Sequence, residues 1–292
     1  MEGKGCYNRE NFRKEGVILP ILEEIAVTLP RADLDLDETL DCGQCFRWER
    51  QEDGSYTGIV RGRFCRVERQ GDRVLFHGVD EDDFQRVWRP YFDLDRDYGS
   101  LKAQFSCDPI LAEAARFAPG IRILRQEPWE ALCSFILSQN NNIKRIKGLV
   151  ARLCAHFGDP VEGGFSFPTP ERLAPLSPED LAPVRCGFRA GYVLDAARRV
   201  ASGQIDLDAV AAMDIDDARE VLQQIHGVGP KVAECALLYG FGRMECCPMD
   251  VWMKKCISTL FPCGLPPCSQ GVEGIAQQYL FHYSRCHPVL FR

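Results

Sequence analysis

The residues best placed to do chemistry surround Lys231, which follows Ile225-His226-Gly227-Val228-Gly229-Pro230 between two helical patterns at 217–225 and 231–238. Two glycines two positions apart allow a tight turn and a close backbone approach, and Pro230 suits the first turn of a helix. The pattern predicts a helix-hairpin-helix. Amides of Gly227, Val228 and Gly229 at a helix N-terminus can hold a DNA phosphate without any cationic side chain. Lys231 then falls in the first turn, where the helix dipole disfavours an ammonium. A free lysine, with a pKa of about 10.4, is almost wholly protonated at neutral pH. Helix position plus desolvation would favour the neutral, nucleophilic amine. Further on, Cys247-Pro248-Met249-Asp250-Val251 places Asp250 at the start of another helix. Taken singly, Lys231 reads as a solvated surface lysine and Asp250 as a helix cap. Cys235 shares a helix face with Lys231 at i, i+4, and Gln277 and Phe281 repeat that relation near the C-terminus. Alone, Cys235 and Phe281 read as core.

The elements that must hold these residues are legible as patterns. From about 35 to 77, turn signals at Asp53-Gly54, Gly62 and Gly71-Asp72 separate short alternating runs, with Cys65 and Val67 set against Arg66 and Glu68. This predicts an antiparallel meander. After Pro128 the period becomes helical, with Trp129, Leu132, Cys133 and Ile136 on one face. Asn140-Asn141-Asn142 reads as an interhelical turn. The next helix sets Ile143, Ile146, Val150, Leu153 and Cys154 against a basic side. Helical segments punctuated by Pro and Gly continue to 240. The fold class expected is α+β, an N-terminal antiparallel sheet domain followed by a larger all-helical domain carrying the helix-hairpin-helix. The expected boundaries are 1–20 for an N-terminal extension, 21–120 for the sheet-rich domain and 121–292 for the helical one.

Composition limits the partners. The chain has 292 residues, 46% of them apolar and 26% charged, which excludes a disordered or fibrous protein. No apolar run approaches the roughly 18 residues needed to cross a bilayer. The N-terminus leads into charge, so no secretory signal and an intracellular protein are expected. A net charge of −7 argues against a general affinity for nucleic acid, yet it is unevenly spread. Residues 79–99 hold seven acids and three bases, 203–220 six acids and one base, whereas 141–152 carry Lys144, Arg145, Lys147 and Arg152 without an acid. The fifteen cysteines, odd in number and irregular in spacing, argue against a disulfide framework and for buried thiols or a metal site.

Several separated motifs, in this order, resemble the helix-hairpin-helix superfamily of DNA glycosylases and, within it, the 8-oxoguanine DNA glycosylases. They are Gly43-Gln44-Cys45-Phe46-Arg47-Trp48; Leu124-Arg125-Gln126-Glu127-Pro128-Trp129-Glu130; Ser134-Phe135-Ile136 with Asn140-Asn141-Asn142-Ile143; Gly187-Phe188-Arg189-Ala190; the hairpin with Lys231 and Asp250; and Ala276-Gln277. The likeness runs from about 35 to 285. It implies a base-excision repair enzyme, a bifunctional DNA glycosylase and abasic-site lyase. Lys231 would attack C1′ of the damaged nucleotide and form a Schiff base, and Asp250 would stabilise the cationic sugar. Cys235 and Phe281 would sandwich the flipped base, Gln277 would read its Watson–Crick edge, and the carbonyl of Gly43 would accept its N7 hydrogen. Glycosylases as a class are the standard example of enzymes that take a target base out of the duplex before acting on it. Asn140 would fill the vacated gap, Phe188 would act as the wedge, and Arg145 and Arg189 would contact the orphaned cytosine. Two positions depart from the family pattern: His226 replaces a proline, and Trp252 stands where some relatives place a phosphate-contacting histidine.

The partner implied is double-stranded DNA containing an oxidised guanine, met by a monomer without cofactor, metal or membrane, in the cytoplasm of a bacterium or the nucleus of a eukaryote. Some related glycosylases hold an iron–sulfur cluster through Cys-x6-Cys-x2-Cys-x5-Cys; Cys256 and Cys263 match only the first gap, and Cys268 and Cys286 depart from the rest. The rival readings are a non-catalytic helix-hairpin-helix DNA-binding module, a glycosylase of the same superfamily for another damaged base, and a thiol-rich metal-binding protein.

Overall fold

The computed structural model describes residues 24–291, so the expected extension at 1–20 lies outside them. Five strands, β1 (Glu24–Thr28), β2 (Trp48–Arg50), β3 (Tyr56–Val60), β4 (Arg63–Gln70) and β5 (Arg73–His77), form one antiparallel sheet in the order β1-β5-β4-β3-β2. Two-residue turns make its tight hairpins. Arg61 and Gly62 between β3 and β4 both have positive φ, the twist that matches flanking strands. The alternation read in β4 is realised, since Cys65 and Val67 are fully buried. The meander differs from expectation at its start, because Leu36–Leu40 is a short helix capped by Asp35, whose carboxylate accepts from the Glu38 amide. The helical run at 81–91 covers one face of the sheet with Phe84, Trp88 and Tyr91. Trp48 lies opposite Gly58 in register, and a Cβ at Gly58 would come within 2.6 Å of its indole.

A second, larger core belongs to the helices α1 (Tyr98–Phe105), α2 (Pro109–Phe117), α3 (Pro128–Ser138), α4 (Ile143–Phe157), α5 (Arg189–Ala201), α6 (Ile215–Gln223), α7 (Pro230–Phe241), α8 (Val251–Leu260) and α9 (Glu273–Cys286). α3 is its centre. Every residue from Trp129 to Leu137 is buried, so the single apolar face read from periodicity becomes a helix enclosed on all sides. α7 packs directly on α3, with the Phe135 and Tyr239 rings stacked at 5.2 Å. No described helix is long and apolar enough to cross a membrane.

The two cores are joined through the buried side chain of Gln44. Its Nε2 donates to the carbonyls of Thr39 (2.9 Å) and Arg122 (2.7 Å), and its Oε1 accepts from the Leu124 amide at 2.8 Å. Gln126 donates from Nε2 to the Gln44 carbonyl at 2.6 Å, while its own amide donates to the carbonyl of Tyr239 on α7. The segment between α2 and α3 is thereby pinned to both halves. Among the cysteines, most of the described thiols are buried, but Cys107 and Cys268 form a disulfide. That corrects the all-thiol expectation; the partners lie 161 residues apart, and only the docking of α1 and α2 beside the 267–269 turn brings them together.

Gln44→Leu keeps the volume but strands the Arg122 carbonyl and the Leu124 amide, while the Thr39 carbonyl keeps the Cys42 thiol. With each orphaned group costing about 1–3 kcal/mol, the expected loss is roughly 2–6 kcal/mol of unfolding free energy, read from the denaturation midpoint; an unchanged midpoint would refute the bridging role of this amide.

Candidate active site

Lys231, Asp250, Gly43 and Phe281 line one cavity of about 460 Å³, together with Phe46, Phe135, Ser138 and Trp252. A broader groove of about 1200 Å³ joins it and is lined by Asn140, Phe188, Gly229, Lys254 and Lys255. Lys231, Asp250, Ser138, Asn141 and Trp252 face both spaces. The nucleophile candidate thus stands at a threshold between the cavity and a trough lined with cations.

Each wall has a local cause. Gly229 is the N-cap of α7 and Pro230 its first residue, which sets Lys231 in the first turn. Its Nζ donates to Ser138 Oγ at 3.2 Å and lies 5.2 Å from the centre of the Phe135 ring. Asp250 caps α8 by accepting from the Met253 amide at 2.7 Å. Capping and facing the cavity are therefore both true of this carboxylate. Gly43 has φ +92°, and a Cβ there would lie 2.9 Å from Ile143 Cδ1, so glycine is needed twice over. Arg285 spans the outer face of Phe281, its guanidinium 5.4 Å from the ring centre.

Two predicted site residues, both buried, are not among those that line the cavity. Cys235 is buried one turn after Lys231; burial pushes its thiol up to about 11, opposed by the charge of Lys231 and a hydrogen bond from it. Gln277 is only 4% exposed, and its Oε1 has no hydrogen-bond partner among the described residues. An orphaned buried acceptor costs stability, so it marks a place where a donor is missing.

Along the groove, Asn140 adopts φ +46°, a left-handed conformation that asparagine tolerates. Asn142 caps α4, its Oδ1 accepting from the Arg145 amide at 3.0 Å. Phe188 is 57% exposed, held edge-on against Tyr192. Arg145 is exposed, with no ion pair among the described residues. Arg189 is placed differently from its neighbour. Its guanidinium is buried and donates to the carbonyls of Gln139 (2.8 Å) and Asn140 (3.0 Å), buttressing the asparagine turn from beneath.

Both departures from the family pattern have structural explanations. The amide of His226 donates to Asp195 Oδ2 at 2.8 Å, a bond proline could not make. Its ring packs edge-on against Tyr192, 4.8 Å away. Trp252 donates from Nε1 to Ser284 Oγ at 2.8 Å, tying α8 to α9 while lining the cavity. Cys268, a poor match to cluster spacing, is committed to its disulfide. Sequence reading did not single out Ser138, Phe135 as a neighbour of the lysine, or the Lys254-Lys255 pair. The lysine pair was visible as two cations one helical turn after Asp250, but nothing in spacing relates Ser138 to a lysine 93 residues away.

The model of the 8-oxoguanine DNA glycosylase N-terminal domain matches residues 26–132, and that of the HhH-GPD superfamily of base excision DNA repair proteins matches 133–270. An N-glycosylase/DNA lyase of Saccharomyces cerevisiae is 33% identical over 261 residues, which cover 78% of this chain and 69% of the relative. The solved 8-oxoguanine glycosylase/lyase of Clostridium acetobutylicum, in complex with double-stranded DNA containing cytosine opposite to 8-oxoG, is 36% identical with a TM-score of 0.82, covering 87% of this chain and 93% of that one. MBOgg1 bound to a low-affinity DNA ligand is 42% identical with a TM-score of 0.85, covering 91% and 96%.

The hairpin supplies a test independent of the pocket. Gly227 has φ +83°, and a Cβ there would fall 2.3 Å from the Tyr192 ring. Gly227→Ala is expected to cost about 1–3 kcal/mol in backbone strain and to weaken binding to damaged and undamaged duplexes alike. A variant that loses affinity for damaged DNA alone would place the hairpin in lesion recognition instead.

Proposed function

This chain belongs to the 8-oxoguanine DNA glycosylase/lyases of the HhH-GPD superfamily of base excision DNA repair proteins, bifunctional enzymes that act on DNA, and on that premise we propose that Lys231 carries both of its activities through a Schiff base. The observation that carries this reading is the position of Lys231 and Asp250 at the junction of the cavity and a cationic groove.

As the neutral amine, Lys231 Nζ attacks C1′ of the flipped nucleotide. The C1′–N9 bond breaks and its electron pair leaves with the base, which takes up the proton that the new ammonium releases. Ring opening then breaks C1′–O4′, protonates O4′ and leaves an iminium between C1′ and Nζ. Removing a C2′ proton expels the 3′ phosphate by β-elimination. Positive charge appears on the sugar only as the first bond breaks, so the Asp250 carboxylate favours the transition state over the bound substrate.

Lesion recognition rests on complementary donors and acceptors. Oxidation at C8 turns N7 of guanine from an acceptor into a donor, and the half-buried Gly43 backbone in the cavity wall offers an acceptor for it. The orphaned Gln277 Oε1 matches the N1 and N2 donors of the Watson–Crick edge. Phe281 and Cys235 would flank the ring faces. On the other strand a monomer would insert Asn140 into the gap and Phe188 into the step. Arg145 would meet the partner base first, and Arg189 would join it once the asparagine turn moves into the duplex and releases its carbonyls. The orphaned cytosine presents O2 and N3 acceptors on its pairing edge, whereas adenine presents an amino donor there.

Borohydride should trap this protein on a duplex containing 8-oxoguanine, and Lys231→Gln should abolish trapping while leaving lesion binding within about threefold; an undiminished trapped band in the variant would assign the nucleophile elsewhere. Excision opposite cytosine should exceed excision opposite adenine by roughly ten- to hundredfold, because an unpaired desolvated guanidinium donor costs about 1–3 kcal/mol. Arg145→Ala should shrink that ratio without moving the thermal midpoint, and equal single-turnover rates in the unaltered protein would deny the arginine this role.

A further inference from the structure

Lys231 Nζ already has two neighbours on α3. Ser138 Oγ lies 3.2 Å away and the face of Phe135 is 5.2 Å away, one turn apart on the same helix. The direction of the Ser138 bond is determined by the hydroxyl's own proton, which is donated to the Phe135 carbonyl at 2.7 Å. A hydroxyl carries one proton, so toward Lys231 its oxygen accepts. From this we infer that Ser138 is a positioning residue for Lys231, directing the lone pair of the amine into the cavity; the inference rests on Lys231 being the nucleophile.

Nitrogen at Nζ has four tetrahedral directions. One is the bond to Cε, a second carries the N–H to Ser138 Oγ, and a third carries the hydrogen bond to Cys235. The remaining direction opens on the cavity shared with Asp250. When the ammonium gives up a proton, the amine keeps two N–H groups. Withdrawing one from Ser138 would leave a donor and an acceptor unpaired in a partly enclosed site, which costs free energy. Both hydrogens therefore stay on Ser138 and Cys235, and the lone pair lies along the fourth direction, where C1′ must arrive. Cys235 comes from the lysine's own helix and Asp250 from the start of α8, so Ser138 is the partner by which the facing helix α3 fixes the amine.

The role differs from that of a packing residue in what its loss changes. Misdirecting a nucleophile lowers the rate of the bound complex, with little effect on how tightly DNA is held. Ser138→Ala should reduce the single-turnover rate of base release at saturating duplex, with one 8-oxoguanine opposite cytosine, by about tenfold or more. Its affinity for the same duplex should stay within about threefold. Ser138→Thr, which restores the hydroxyl, should recover most of the lost rate. Borohydride trapping of Lys231→Gln is run alongside, because a persisting trapped band there removes the nucleophile and this inference with it. If Lys231→Gln loses the band but Ser138→Ala excises at the unaltered rate, the nucleophile stands and the positioning role falls. Equal slowing in the Ala and Thr variants also overturns it, since the hydroxyl would then not be what matters.

Discussion

The buried amide of Gln44 is the constraint on which the rest of the molecule depends. One primary amide satisfies the Thr39 and Arg122 carbonyls and the Leu124 amide at once, and the residue beside it, Gly43, forms part of the pocket wall. Gln126 continues the chain of bonds to the backbone of α7 at Tyr239, and α7 is the helix that carries Lys231. The Gly43 stretch of the pocket wall and the helix that would attack the sugar are therefore held in one arrangement by buried, backbone-directed hydrogen bonds. Such bonds are directional and costly to leave unmade. An apolar contact in their place would bury the same area without fixing the separation.

An acidic protein that handles a polyanion needs its charges sorted. Many of the carboxylates behind the net charge of −7 act at helix starts: Asp35, Asp80, Asp97, Asp108, Asp206 and Asp250 each accept from an amide in the first turn of a helix. Others are paired locally, as Asp195 is with Arg199. Among the exposed cations, Lys254 and Lys255 line the groove and Lys144 and Arg145 stand on α4 beside the asparagine turn. Phosphates respond to the local potential within about a Debye length of 8–10 Å, so the overall sign of the chain matters less than this arrangement. Free amides at a helix N-terminus, as at the start of α7, can add to such a potential without any formal charge.

Tyr192 shows how loosely related motifs become one device. Its ring packs over Gly227, meets His226 edge-on and holds Phe188 from the side. The exposed Phe188 ring and the turn at Gly227 are thereby supported on a single aromatic side chain of α5. The His226 departure fits the same arrangement, with its amide tied to Asp195 three residues beyond Tyr192.

Much of this was legible in the chain. Local rules sufficed for the β4 alternation, the helix starts at Pro128 and Pro230, the hairpin glycines and the cap at Asp250, because each depends on neighbours within one or two turns. The candidate pocket was legible only through the order of its motifs, since Gly43, Lys231 and Phe281 share no periodicity. Tertiary structure alone decided the rest. It enclosed α3 on every side, buried Arg189 beneath the asparagine turn, paired Cys107 with Cys268, and set Ser138 against Lys231. Periodicity reports which face of an element turns inward, but not which distant side chain it will meet there; that is settled when packing and buried hydrogen bonds are satisfied together.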